Sequence, residues 1–210
     1  LVMDNSYYKK YKILENFPSN SEKMFYNAIR QASNNIEDQK TEKVDWVLDK
    51  IKNSSLNEKF IVFSHFLTKG ILLIKYKLEK EKISVGLVAG DVSKKYREEA
   101  VQKYNKNEIK VLLISKAGSE GLDLKNTNSV IIMEPSWNES THRQVIGRAV
   151  RYESHIDLPK KLRHVNVYYL HLIKPEEKNI ASTVMRDGIL KNGDEKLSID
   201  LYLRSFSNKK

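Results

Sequence analysis

Short apolar runs that alternate with amphipathic stretches constrain this chain more than any other feature. Phe60-Ile61-Val62-Phe63 is apolar throughout and bounded by polar residues, the pattern of a buried strand. Leu67, Ile71, Ile74 and Leu78 follow at spacings of four, three and four, the pattern of a helix. Residues 84–89, 110–114, 129–133 and 165–173 predict further strands, the last of them the longest. Residues 93–105 and 140–151 predict the intervening helices. Strands apolar on both faces and alternating with helices define an α/β fold, with a mostly parallel sheet covered on both sides by helices.

Helices flank this series. Met24, Phe25, Ala28, Ile29, Ala32 and Ile36 share helical spacing over residues 21–36. Thr41 is placed to cap a second helix, on which Val44, Val47, Leu48 and Ile51 share a face. Residues 1–12 are aromatic and basic and show no clear element. Beyond Pro175, residues 176–190 and 194–206 read as helices. Three segments follow: an N-terminal helical or linker segment (1–40), the main α/β domain (41–175) and a C-terminal helical appendage (176–210).

The charge balance names a class of partner. Lys and Arg number 37 against 27 Asp and Glu, a net charge of +10, which suits a polyanion, most often nucleic acid. The absence of cysteine excludes disulfide scaffolds and Cys-ligated metal centres. His142, His155, His164 and His171 lack ligand-like spacing, so no metal site is expected. No apolar run approaches the roughly 18 residues of a membrane span, and the first residues lack a signal-peptide core. The expectation is an intracellular protein without a membrane partner.

In open α/β sheets, ligands bind beyond the carboxyl ends of the strands. Three segments sit there. Ser64-His65 follows the first strand and can touch a phosphate or cap the next helix. Residues 115–124 (SKAGSEGLDL) combine Ser115, Lys116, two glycines and Asp123 in one strand-exit loop. Gly118 and Gly121 would let backbone amides approach a phosphate, and Asp123 can accept from a ribose hydroxyl or an arginine. Residues 144–151 (QVIGRAVR) place Gln144, Arg148 and Arg151 within about 60° on a helical wheel, opposite Val145, Ile146, Ala149 and Val150. Two adjacent guanidiniums call for an anion, and a triphosphate fits the planar fork of arginine.

In this order the segments resemble the C-terminal RecA-like motor domain of superfamily 2 helicases and Swi/Snf-type translocases. FIVFSHF (60–66) looks like motif IV, VLLISKAGSEGLDL (111–124) like motif V and QVIGRAVR (144–151) like motif VI. Gly90-Asp91, with Arg97 downstream, looks like the segment after motif IV. IMEPSWN (132–138), with the stretch from Arg151 to Pro159, is similar to the helicase-like NTPases of large cytoplasmic DNA viruses. Those include the poxvirus early transcription factor ATPase subunit and nucleoside triphosphate phosphohydrolase I.

The resemblance implies a three-layer RecA-like domain and roles for named residues. Arg151 would be the arginine finger, Arg148 its companion on the same phosphate, and Gln144 the residue that orients near the nucleotide or couples it to nucleic acid. Gly121 and Asp123 would line the nucleotide. Ser64, His65, Ser115 and Lys116 would meet the nucleic-acid backbone. Trp137 would stack on a base or, preferred two to one, pack in the core.

A G-x-x-x-x-G-K-[ST] loop is absent, since no glycine precedes a lysine, and Asp194-Glu195 does not follow an apolar strand. ATP and Mg²⁺ would then be bound mainly by an N-terminal RecA-like domain preceding Leu1, and the 210 residues alone would not turn over ATP. The implied partners are that domain in cis, DNA or RNA with DNA favoured, and transcription machinery. The implied location is host cytoplasm or virion. The competing reading is a stand-alone nucleic-acid-binding module with a degenerate helicase fold. A Rossmann-type enzyme is disfavoured, because no G-x-G-x-x-G follows the first strand.

Overall fold

The computed structural model describes residues 1–17, 21–37, 41–118, 121–151, 153–187 and 197–207. The chain forms two compact units. One comprises 47–133 and 140–169; the other is assembled from 1–46, 134–139 and 170–210.

The first unit holds the predicted sheet. Its strands are β1 (Phe60–Ser64), β2 (Val85–Val88), β3 (Val111–Ser115), β4 (Ser129–Ile132) and β5 (Asn166–Tyr169). They lie in the order β2-β3-β1-β4-β5, and every pair is parallel. β1, β3 and β4 are buried at every position, as central strands covered on both faces must be. Ile61, Phe63, Leu112, Ile114, Val130 and Ile132 face one way and form a core with Tyr104, Val145 and Ala149. Those last three come from α5 (Lys94–Asn105) and α6 (Ser140–Ala149). β5 is shorter than the sequence suggests: after Tyr169 only an isolated bridge pairs Ile173, with Val2.

The cap expected at Thr41 forms, and Ser93 supplies a second. Ser93 Oγ accepts from the Tyr96 amide and Thr41 Oγ1 from the Val44 amide, which start α5 and α3 (Glu42–Lys52). The helix expected after β1 is instead a π-turn over Leu67–Leu72 leading into α4 (Leu73–Lys80). Lys69, with φ −88° and ψ 23°, carries the departure from helical geometry.

The loop after β3 is held by contact with β2. A Cβ on Gly118 would stand 2.2 Å from the Val88 carbonyl oxygen, so only glycine fits without backbone movement. Gly118→Ala is therefore expected to cost about 1–3 kcal/mol. Urea unfolding of wild type and variant checks this, and an unchanged midpoint would show that the loop yields freely.

The second unit contains α1 (Asn5–Glu15), an element without a signal in the sequence, α2 (Glu22–Ala32), α7 (Ala181–Asp187) and α8 (Ile199–Ser207). The helix expected over 176–190 is a 3-10 turn at Pro175–Glu177 followed by α7; residues 188–196 lie outside the described residues. Tyr7, Tyr11, Ile29, Ala32, Leu172, Ile199 and Leu203 share one core. The terminal segments, separate in the sequence reading, thus form one body with residues 134–139.

Candidate functional site

β1 and β3 deliver Ser64 and Ser115 to the same level of the sheet, where they are register partners. Both are buried. The Ser64 hydroxyl accepts from the Phe66 amide at 3.1 Å and packs against Gly70, so it serves the turn that leaves the strand. His65 stands next to it, half-buried. Its Nε2 lies 3.2 Å from Nε2 of His142 on α6, with the Phe63 ring edge-on to both imidazoles. One imidazole must donate and the other accept, so the contact holds at most one shared proton. The sequence reading gave His142 no role; only the fold brings it to His65.

The loop after β3 leaves Lys116 and Asp123 exposed. Gly121 has φ +70°, with open space where a Cβ would project. Its neighbours Ser119 and Glu120 lie outside the described residues. The tail of the loop is pinned to α5. Asn105 Nδ2 donates to the Asp123 carbonyl at 2.9 Å, and Asn105 Oδ1 accepts from the Lys125 amide at 2.9 Å. The sequence singled out no such role for Asn105, because its signal is an ordinary helix-end asparagine.

α6 carries Gln144 and Arg148, four residues apart and both half-buried. The helix ends at Ala149, two residues earlier than the sequence pattern suggests. Ser154 Oγ lies 3.4 Å from the Ala149 carbonyl oxygen, and Glu153 takes a left-handed φ of 61°. His155 bridges from Ser154 Oγ to the Thr127 carbonyl and fastens this turn to the segment before β4. Arg151 therefore reaches the site from the turn and not from the helix face. Its guanidinium lies 3.5 Å from the Asp123 carboxylate, with the two side chains 41% and 69% exposed. Two segments that the sequence could only set side by side thus meet as an ion pair. Both groups remain open to a ligand, and a guanidinium held near but not saturated by a carboxylate is suited to an incoming phosphate.

Among the described residues no cluster of three or more His, Asp or Glu side chains could hold a metal ion. The arginines suit a triphosphate, whereas Mg²⁺ finds no carboxylate set here.

Trp137 belongs to the second unit. It is 45% exposed, with Tyr26 and Tyr202 edge-on to its indole. Among the described residues no helix is long and apolar enough to cross a membrane.

Residues 40–153 match the family described as helicase conserved C-terminal domain. A protein of Acanthamoeba polyphaga mimivirus, whose name describes an ATP-dependent RNA helicase, is 42% identical over 167 residues, 79% of this chain and 37% of that protein. Nucleoside triphosphatase I of Amsacta moorei entomopoxvirus is 38% identical over 95 residues, 45% of this chain and 14% of that protein. The chain thus spans little more than a third, or less, of these relatives. Among solved structures, the C-terminal part of the Fun30 ATPase domain aligns with a TM-score of 0.55 at 19% identity, over 96% of this chain and 73% of that one. The C-terminal domain of the DEAD-box protein Dbp5 aligns with a TM-score of 0.51 at 18% identity, over 69% and 77%. At these identities the structural likeness establishes the fold.

Proposed function

Since the chain belongs to the helicase conserved C-terminal domain family, we propose that it is the second RecA-like motor domain of a nucleic-acid-dependent ATPase that translocates on or unwinds its track. The observation that carries this reading is the Arg151–Asp123 pair, which joins the loop after β3 to the turn after α6 in the open. An N-terminal RecA-like domain with a P-loop would bind the triphosphate and Mg²⁺. The metal would neutralise charge on the β- and γ-phosphates when bound there. Arg151 exchanges the Asp123 carboxylate for the γ-phosphate as the two domains close, and Arg148 supports it on the same group. Asp123, released, accepts from the ribose, and Gly121 leaves room for that approach. Gln144 relays the nucleotide's presence toward the strand-exit loops. Lys116 and His65 supply cationic and donor contacts to a phosphodiester backbone, and Ser115 and Ser64 shape the floor beneath them. Such contacts are independent of base sequence and weaken with salt.

The names of the viral relatives, an ATP-dependent RNA helicase and a nucleoside triphosphatase, support a viral nucleic-acid-dependent NTPase; action with transcription machinery, in host cytoplasm or virion and with DNA as the favoured track, is the further part of the proposal. The deciding experiment measures ATP hydrolysis by the protein that joins this chain to its P-loop domain, with and without single- and double-stranded DNA and RNA. Turnover is expected to rise with one polymer and to be absent in the 210 residues alone. Robust hydrolysis by the 210 residues, or indifference of the full protein to every polymer, overturns the reading. Polymer binding without any hydrolysis would leave a binding module.

A further inference from the structure

The strands also have amino ends, and a cavity of about 800 Å³ opens beneath those of β1, β2, β3 and β4. It lies at the edge of the sheet opposite the loops described above, within the first unit. Its volume falls in the roughly 300–1,000 Å³ range of ligand pockets. Three residues in its wall hold left-handed backbone conformations without being glycine: Lys82, Asn107 and Asn126, with φ of 57°, 63° and 56°. Such positions persist only where the surroundings enforce them.

The wall has a definite chemistry. Lys52, Lys59, Lys82 and Lys110 stand against one carboxylate, Glu81, which pairs with Lys52 at 3.0 Å. Lys59 turns inward to the carbonyls of Tyr104 and Lys125 and to Asn107 Oδ1, and its burial lowers its pKa to about 8. Lys110 donates to the carbonyls of Ser54 and Ser55. Neither pairs with an acid of the wall, although the neighbouring Glu58 acts on Lys110, and Lys82 stands exposed on the rim. Between the cations run apolar side chains, among them Ile83, Leu158 and Leu162, with Leu162 47% and Leu56 93% exposed. Asn126 Oδ1 is buried in the wall and makes no hydrogen bond among the described residues.

We propose that this cavity docks an acidic peptide segment of a partner protein, extended, with a large apolar side chain flanked by carboxylates. The apolar side chain would sit against Ile83 and Leu162, and the carboxylates would meet Lys82 and Lys110. A phosphate would leave the exposed leucines uncovered. The docked segment would approach the motor from the side away from its nucleotide and its track, so both could be engaged together.

The test pans a phage-displayed library of random peptides of about 12 residues against the 210-residue chain, with Lys82→Glu/Leu162→Ser as the counter-target. Both positions are exposed, and circular dichroism checks that the double variant folds. The expected consensus is acidic around one or two large apolar residues. A synthetic peptide of that consensus should lose at least about tenfold in affinity on the double variant. It should shift the amide resonances of Asn107, Lys110 and Asn126 and leave those of residues 140–151 in place. No enrichment, a basic or uncharged consensus, or equal affinity for the double variant overturns the proposal. So does displacement of the peptide by a short oligonucleotide. Self-association of the wild-type chain that the double variant abolishes would assign the cavity to a second copy, and this too overturns it.

Discussion

Arg151→Ala is expected to lower polymer-stimulated ATP turnover by about 10³–10⁵-fold, the range associated with an arginine finger. It should leave the fold intact. The Arg151–Asp123 pair is exposed on both sides, and exposed pairs contribute about 0–1 kcal/mol at most. Loss of rate with an unchanged unfolding midpoint is thus the signature of a group that acts on the transferring phosphoryl and not on structure. Arg151→Lys should recover little, because an ammonium cannot reproduce the planar two-donor contact. Asp123→Asn separates the partners. It removes the carboxylate that holds the guanidinium before closure, so its effect should fall on KM for ATP more than on kcat. Wild-type turnover by Arg151→Ala would reduce the turn after α6 to a basic surface and defeat the motor reading.

The sequence revealed the parts governed by local pattern. Each strand core is a run of apolar residues that no other element explains, and β1 through β4 fall within a residue or two of expectation. Their order in the sheet was not legible, since parallel pairing depends on crossovers and not on any residue of the strand. Motif spacing pointed to Arg151 and Asp123, but not to the way they meet. That depends on Ser154 and the left-handed Glu153 ending α6 early. α1 was hidden because its core face is built from tyrosines, Tyr7 and Tyr11, that read as polar and basic surface beside Lys9, Lys10 and Lys12. The second unit as a body was hidden for a related reason. Its segments lie 90 residues or more apart in places, and its centre is ionic.

That buried ion pair should respond to mutation about as strongly as truncation of a large core side chain. Lys43 on α3 and Asp200 on α8 are fully buried and paired at 2.5 Å. Asp200 also accepts from the Leu172 amide at 2.8 Å, and the Lys43 ammonium reaches Ser33 Oγ and Asn34 Oδ1. Asn34 in turn donates to the buried Glu134, and Arg30 donates to the Pro135 carbonyl, so the network reaches the segment that follows β4. Asp200→Ala strands an ammonium without a counter-charge and is expected to cost about 3–5 kcal/mol. Replacing both partners by Lys43→Met and Asp200→Leu should cost much less, because a buried pair is close to neutral against apolar residues of similar volume. Trp46 stands on α3, which continues into the sheet unit, so the fluorescence of Trp137 in urea, read in a Trp46→Phe background, follows this unit. Equal destabilisation by the single and the double replacement would mean that packing, not charge, holds the unit together. A single replacement with an unchanged midpoint would mean that water reaches Lys43 and the pair is not buried in solution.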